Sequence, residues 1–504
     1  MRTASTRRTL AVAAAALALL AGCSADDSTS DAAGDGDEPA TTSTTAAPDR
    51  PDGPAADLSE ELTAGQAFLA DLSTTDLDAA GYVQHEYVAA GTATSYRSDG
   101  ELPADGRFEL SEDASADYRT RVVVRRPAEP DDFSGTVVLE WLNVSGGLDA
   151  NPDWTLMREE ILRAGHAWVG VSAQHIGIEG GPVAVGVGIA EGLAGAGLKA
   201  IDAERYGSLS HPGDAFSYDI YTQVARALRA GADGALGDLR PERLLAVGES
   251  QSGFALTTYV DGVQPLTRQF DGFLVHSRGA AAAPLGEPGT GIDIASTIAL
   301  PPTRLRTDGD VPILVLETEG DLTSVLNYQA ARQPDDEHLR LWEVAGAAHA
   351  DRHLTGPVAD QVDCGVPIND GPHHFVAKAA LHHLDRWVRD GTAPPEVPRI
   401  ETDDRPSIVR DELGVAVGGV RTPQVDVPAQ VLSGDPGPKS SVICLLLGST
   451  LPIDPATLAG LYESRQDYLE QYEAAADEAI DAGFVLEADR EALLDDARPE
   501  LVGA

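Results

Sequence analysis

Residues 243–263 read RLLAVGESQSGFALTTYVDGV, and this stretch constrains the fold more tightly than any other. RLLAVG is a short apolar run bounded by charged residues, which predicts a buried parallel strand. From Phe254 the apolar residues recur at helical spacing. Ser250 and Ser252 thus sit where a strand must turn sharply into a helix, the setting of a G-x-S-x-G nucleophile elbow. In such an elbow the nucleophile's backbone is strained, and the residues two before and two after it must be small because strand and helix pass close together. Around Ser250 these are Gly248 and Ser252. Around Ser252 they would be Ser250 and Phe254, whose ring would clash at the crossing. Sterics select Ser250, with Ser252 in place of the usual second glycine. The competing reading is an ordinary turn rich in small residues, so the choice depends on finding partners for the serine.

The rest of the chain repeats the alternation. Strand-like runs occur at residues 121–125, 135–141, 167–172, 244–247, 272–276, 311–316 and 339–344, with helix-like segments at 153–164, 215–230 and from 254 onward. That pattern predicts an α/β fold, a mostly parallel, doubly wound sheet with crossover helices. The core is expected over residues 61–400, interrupted by two long insertions, 176–213 and 278–310, of the kind that build lids and pockets at strand ends. A helix at 375–389 closes the sheet. Residues 401–504 are Pro-rich to about Thr450 and then helical, at 465–482 and 488–497, forming either a cap or an extension packed on the core.

A serine hydroxyl is a weak nucleophile without a histidine base and a carboxylate to orient it. Chains with this elbow carry the three in the order serine, acid, histidine. After the strand VPILVL come Glu317, Glu319 and Asp321. Asp321 lies farthest past the strand end and can best reach across; Glu319 is the alternative, and Glu317 sits too close to the sheet. After LRLWEV, small residues lead into His349, the expected base. His353, four residues on, would suit a metal pair with His349, but no third ligand at recognisable spacing follows, so no metal is expected. His276, at a strand end, is expected to line the pocket, while His373, His374, His382 and His383 read as ordinary helix residues. An oxyanion needs two donors: the backbone N–H of Gln251, and one from the loop LNVSGG, either Asn143 or Val144.

The N-terminus has Arg2, Arg7 and Arg8 before the apolar run Leu10 to Leu20, too short to span a bilayer comfortably. It reads as a signal peptide, residues 1–22, and its LAGC ending resembles a lipoprotein lipobox with Cys23 as the lipidated residue. Stable anchoring takes more than one acyl chain. Residues 23–60, rich in Ser, Thr, Asp, Ala and Pro, are expected to form a disordered tether spanning on the order of 30 Å. The formal charge of −45 repels phosphate backbones and excludes nucleic acid as a partner. In an exported domain Cys364 and Cys444 are expected to pair, with free buried thiols as the alternative.

WLNVSGG, GESQSG, RQP at 332–334, LWEVAGAAHAD and GGVRTP at 418–423 together resemble a large family of bacterial α/β-hydrolase domain proteins, over residues 65 to 495 or so. The resemblance implies a serine-hydrolase fold, puts Ser250 in the nucleophile slot and His349 in the base slot, and makes the C-terminal region part of the same unit. The function expected is an exported, lipid-anchored serine hydrolase that acts on a small-molecule ester without a cofactor and meets the membrane only through its anchor. An acyltransferase or amidase with the same triad is one alternative, and a non-catalytic binding protein on the same scaffold is another.

Overall fold

The computed structural model describes residues 50–73, 75–186, 192–403 and 407–503. The expected signal peptide, Cys23, most of the tether and residues 187–191 of the first insertion lie outside them. Eight strands form one sheet: β1 (Tyr82–Ser98), β2 (Leu110–Pro127), β3 (Thr136–Trp141), β4 (Ala167–Val171), β5 (Arg243–Glu249), β6 (Gly272–His276), β7 (Ile313–Thr318) and β8 (Leu339–Val344). Their order is β1-β2-β4-β3-β5-β6-β7-β8. The first two pairings, β1 with β2 and β2 with β4, are antiparallel; all the others are parallel.

The central strands are buried along their length, apart from Arg243 at the start of β5, as the near-continuous apolar runs require. Their residues alternate between two cores. Leu244 and Ala246 of β5 and Ile313 and Val315 of β7 pack with Tyr221, Val224, Phe254 and Leu256 on one face. Leu245, Val247, Leu314 and Leu316 pack with Trp154, Ile161, Val376 and Leu384 on the other. The period of two in each strand therefore assigns the helices to faces. Helices α2 (Ser217–Ala230) and α3 (Gln251–Thr258) cover the first face; α1 (Pro152–Arg163) and α4 (His373–Asp390) cover the second.

The strand order positions the site. The chain leaves β3 toward β4 on one side and returns to β5 on the other, so the carboxyl ends of β3 and β5 flank the point where the winding reverses. Open α/β sheets bind ligands in that crevice.

Two expectations need correction. β1 was not foreseen, and β2 is far longer than residues 121–125: the two pair from Tyr82↔Pro127 to Ser98↔Leu110 as a long hairpin, much of it polar and exposed. The tether ends earlier than residue 60. Ala56 and Leu58 are buried, and Asp57 and Glu61 bridge to Ala90 and Tyr87 of β1, because an edge strand offers unpaired backbone groups to any adjacent extended segment. Residues 49–504, the C-terminal region included, form one compact unit. In this region α5 (Arg465–Asp481) packs through Tyr468 and Tyr472 among Val427, Leu458 and Tyr462, Val420 bridges to Val344 of β8, and Cys444 is disulfide-bonded to Cys364. Among the described residues no helix is long and apolar enough to cross a membrane.

Candidate active site

Ser250 is the pivot between β5 and α3, with φ 59° and ψ −117°, a conformation that non-glycine residues adopt only under constraint. The constraint is visible. Its N–H donates to His276 O at 2.9 Å, and a Cβ placed on Gly248 would meet Ser252 Cβ at 3.0 Å and Leu256 Cδ1 at 2.9 Å. Ser252 is fully buried and its hydroxyl has no hydrogen-bond partner. The two serines are thus distinguished by position: one is turned out into a cleft, the other is sealed in the crossing as its small residue.

Ser250 Oγ lies 2.8 Å from His349 Nε2, and His349 Nδ1 lies 2.6 Å from Asp321 Oδ1. The carboxylate is itself held, because Asp321 Oδ2 accepts from Thr318 N at 2.6 Å and Thr318 Oγ1 at 2.8 Å across the first turn after β7. Burial pushes the Asp321 carboxyl up, but His349 and the two Thr318 bonds outweigh it and leave the group below its ordinary value. With Asp321 ionised, Nδ1 of His349 carries the proton and Nε2 is free to accept from Ser250. For His349 itself, burial pulls down while Asp321 and Glu249 pull up, and the ring ends at about 8.

The neighbouring acids have other tasks. Glu319 accepts from Gly346 N at 2.8 Å and Gly434 N at 3.0 Å and pairs with Arg410 of the C-terminal region, so it ties that region to the core. Glu317 is wholly buried in β7, and burial pushes its carboxyl well above the ordinary range.

Sequence reading missed Glu249. Its Oε1 lies 3.4 Å from His349 Nε2, on the same ring nitrogen that faces the serine. Burial drives its carboxyl up to about 8 against the opposing pull of His349. The residue between Gly248 and Ser250 was the available signal, but the motif leaves that position free.

Of the expected oxyanion donors, Gln251 begins α3, so its N–H has no acceptor within the helix. Val144 N–H reaches Gln251 Oε1 at 3.3 Å, a long bond that leaves it displaceable. Asn143 is corrected: its N–H is committed to Ala150 O at 2.9 Å, and its Nδ2 donates to Glu249 O at 3.0 Å, bracing the elbow from β3. His276 does not line the cleft. It is fully buried, with Nδ1 2.8 Å from Asp153 Oδ1 and Nε2 2.7 Å from His373 Nε2. His353 stacks on His374 with ring centroids 3.8 Å apart, and among the described residues no group of three or more His, Cys, Asp or Glu could hold a metal ion.

Ser250, His349 and Glu249 open into a cleft of about 350 Å³, in the range of small-molecule sites. A hollow of about 430 Å³ beside Phe273 and Ile313 lies at the amino ends of β6 and β7, away from all three. An ordered hydroxyl, imidazole and carboxylate opening into a cleft can activate the hydroxyl for attack on an acyl carbon.

A family model described as alpha/beta hydrolase domain matches residues 46–495. No protein of curated function matches the sequence. Among solved structures, the chain is similar to an α/β serine hydrolase without a lid from Xanthomonas campestris, at 14% identity and TM-score 0.29, covering 60% of this chain and 95% of that one. It is similar also to fungal esterases from Rhizomucor miehei, at 13% identity and TM-score 0.31, covering 62% of this chain and 92% of that one.

Proposed function

The chain belongs to the alpha/beta hydrolase domain family, and on that premise we propose that it is an exported, lipid-anchored serine hydrolase that cleaves carboxylic esters through an acyl-enzyme. The observation that carries this reading is the continuous chain Ser250 Oγ, His349 Nε2, His349 Nδ1, Asp321 Oδ1, with links of 2.8 and 2.6 Å.

Ser250 Oγ attacks the ester carbonyl carbon as its proton passes to His349 Nε2. The imidazolium that forms is stabilised by Asp321 on one nitrogen and by Glu249 near the other. The developing oxyanion takes the N–H of Gln251 and displaces the Gln251 carboxamide from Val144 N–H, which supplies the second donor. His349 returns its proton to the leaving alkoxide, and the alcohol departs. Water then enters, gives a proton to His349 and attacks the acyl carbon; the acid leaves as Ser250 recovers its proton.

The test is covalent labelling with a fluorophosphonate, which should mark Ser250 in the wild type and leave Ser250→Ala unmarked, with esterase activity lost in that variant. Esterase activity surviving in Ser250→Ala overturns the reading. The anchor is tested separately: Cys23→Ala should move the protein from the membrane to the soluble fraction, and a variant still membrane-bound refutes a lipid at Cys23.

A further inference from the structure

Building on that serine-hydrolase reading, we propose that the cleft seats the longer arm of a neutral, apolar ester and rejects esters that carry a carboxylate on that arm. The walls come from segments far apart in sequence: Leu69 and Leu72 before β1, Leu148 after β3, Leu354 after His349, and Ile443 and Leu446 from the C-terminal region. Among the described residues, the ionisable ones on the lining are Asp71, Glu249 and His349, with no arginine or lysine. Asp71 is paired with Arg125 at 2.6 Å, whose guanidinium is turned away over the rings of Trp154 and Trp168. A carboxylate lying along this wall would therefore meet hydrocarbon and an acid whose cation is already engaged, with no charged partner of its own apart from His349 at the reacting end. Burying a charge without a partner costs several kcal/mol, roughly.

Apolar side chains also crowd the mouth. Leu72 and Leu193 line it while 36% and 41% exposed. Exposed large apolar residues gathered at one opening mark a surface that meets apolar matter. The wall holding Ile443 and Leu446 is secured by Cys444, which lies between them and is bonded to Cys364. It stands ready for a chain without having to order on binding.

The test compares kcat/KM of the full-length protein on two matched pairs at pH 7.5: methyl hexanoate against monomethyl adipate, and hexyl acetate against 6-acetoxyhexanoate. At least one pair should favour the neutral ester by about 100-fold or more; a ratio below about 10 in both pairs overturns the proposal. Leu354→Trp should lower the ratio of octanoate to acetate ester turnover about tenfold, and an unchanged ratio refutes the seating of a chain against this wall. Fluorophosphonate labelling separates the two levels: no label at Ser250 means the hydrolase reading has failed, whereas labelling with no turnover of either neutral ester means only the substrate class has failed.

Discussion

Replacing Glu249 by glutamine should move the acid limb of activity to lower pH. The carboxyl lies 3.4 Å from His349 Nε2 and is nearly isosteric with the amide, so Asn143 keeps an acceptor at Oε2 and the elbow keeps its packing. His349 must be neutral to take the serine proton. Any negative charge on Glu249 favours the imidazolium instead, which is one reason the ring stands at about 8. A full charge at 3.4 Å interacts by about 5 kcal/mol at an effective dielectric of about 20, equivalent to about 3.5 pH units. Burial keeps Glu249 largely protonated at neutral pH, with its own carboxyl at about 8, so only part of that charge is felt. The expected displacement is about one unit downward in the acid limb of kcat/KM, which reports the free enzyme's base. The assay is a pH profile of a neutral ester for wild type and Glu249→Gln at constant ionic strength. A limb that stays in place, or moves upward, refutes the idea that Glu249 holds a proton on the base.

Three further outcomes follow from the same geometry. Asp321→Asn should lower kcat by roughly 10³- to 10⁴-fold with the fold intact, because the amide no longer enforces the productive tautomer; Glu319→Gln should instead cost about 2–3 kcal/mol in denaturant unfolding while the folded fraction stays labelled by fluorophosphonate. Equal catalytic losses in the two would mean the acid has been misassigned. Ser252→Ala removes a buried hydroxyl without a partner and should change stability by less than about 1 kcal/mol, in the favourable direction, with Ser250 still labelled; loss of labelling would return Ser252 to consideration as nucleophile. Replacing Cys364 and Cys444 by serine opens a loop with a sequence separation of 80 and should cost about 4.5 kcal/mol by the chain-entropy relation, read as a drop in unfolding free energy. A change under about 1 kcal/mol would show that the disulfide contributes little beyond the packing around it.

Much of the hydrogen-bonded chain from Ser250 through His349 to Asp321 is legible in the sequence, because the features that betray it are local. A buried strand running into Gly248, a small residue at 252 and a helix after it dictate where a strained serine can sit. The place of Asp321 beyond β7 and of His349 beyond β8 follows from counting residues past strand ends, since parallel strands bring those ends to one edge. The long hairpin β1–β2 escaped because the outer half of β2 buries no side chain, and the buried positions opposite it on β1 are the small Ala93 and Ser95, which leave no apolar alternation to read.

Tertiary structure alone decided what each neighbour of the triad does. Glu319 and Asp321 stand two residues apart at the start of one short helix; the count past β7 favours Asp321, but only the fold turns Glu319 to Arg410 and two backbone amides and Asp321 to the histidine. Asn143 and Val144 are adjacent, but a single bridge to Ala150 commits the first N–H. Glu249 meets His349 only because the loop after β8 folds back over the end of β5. The positions of most strands along the chain and the shape of the elbow are properties of short segments and their periodicity. The partners of Glu319 and Glu249 and the walls of the cleft come from residues tens to hundreds of positions apart, whose meeting depends on how the whole sheet is wound.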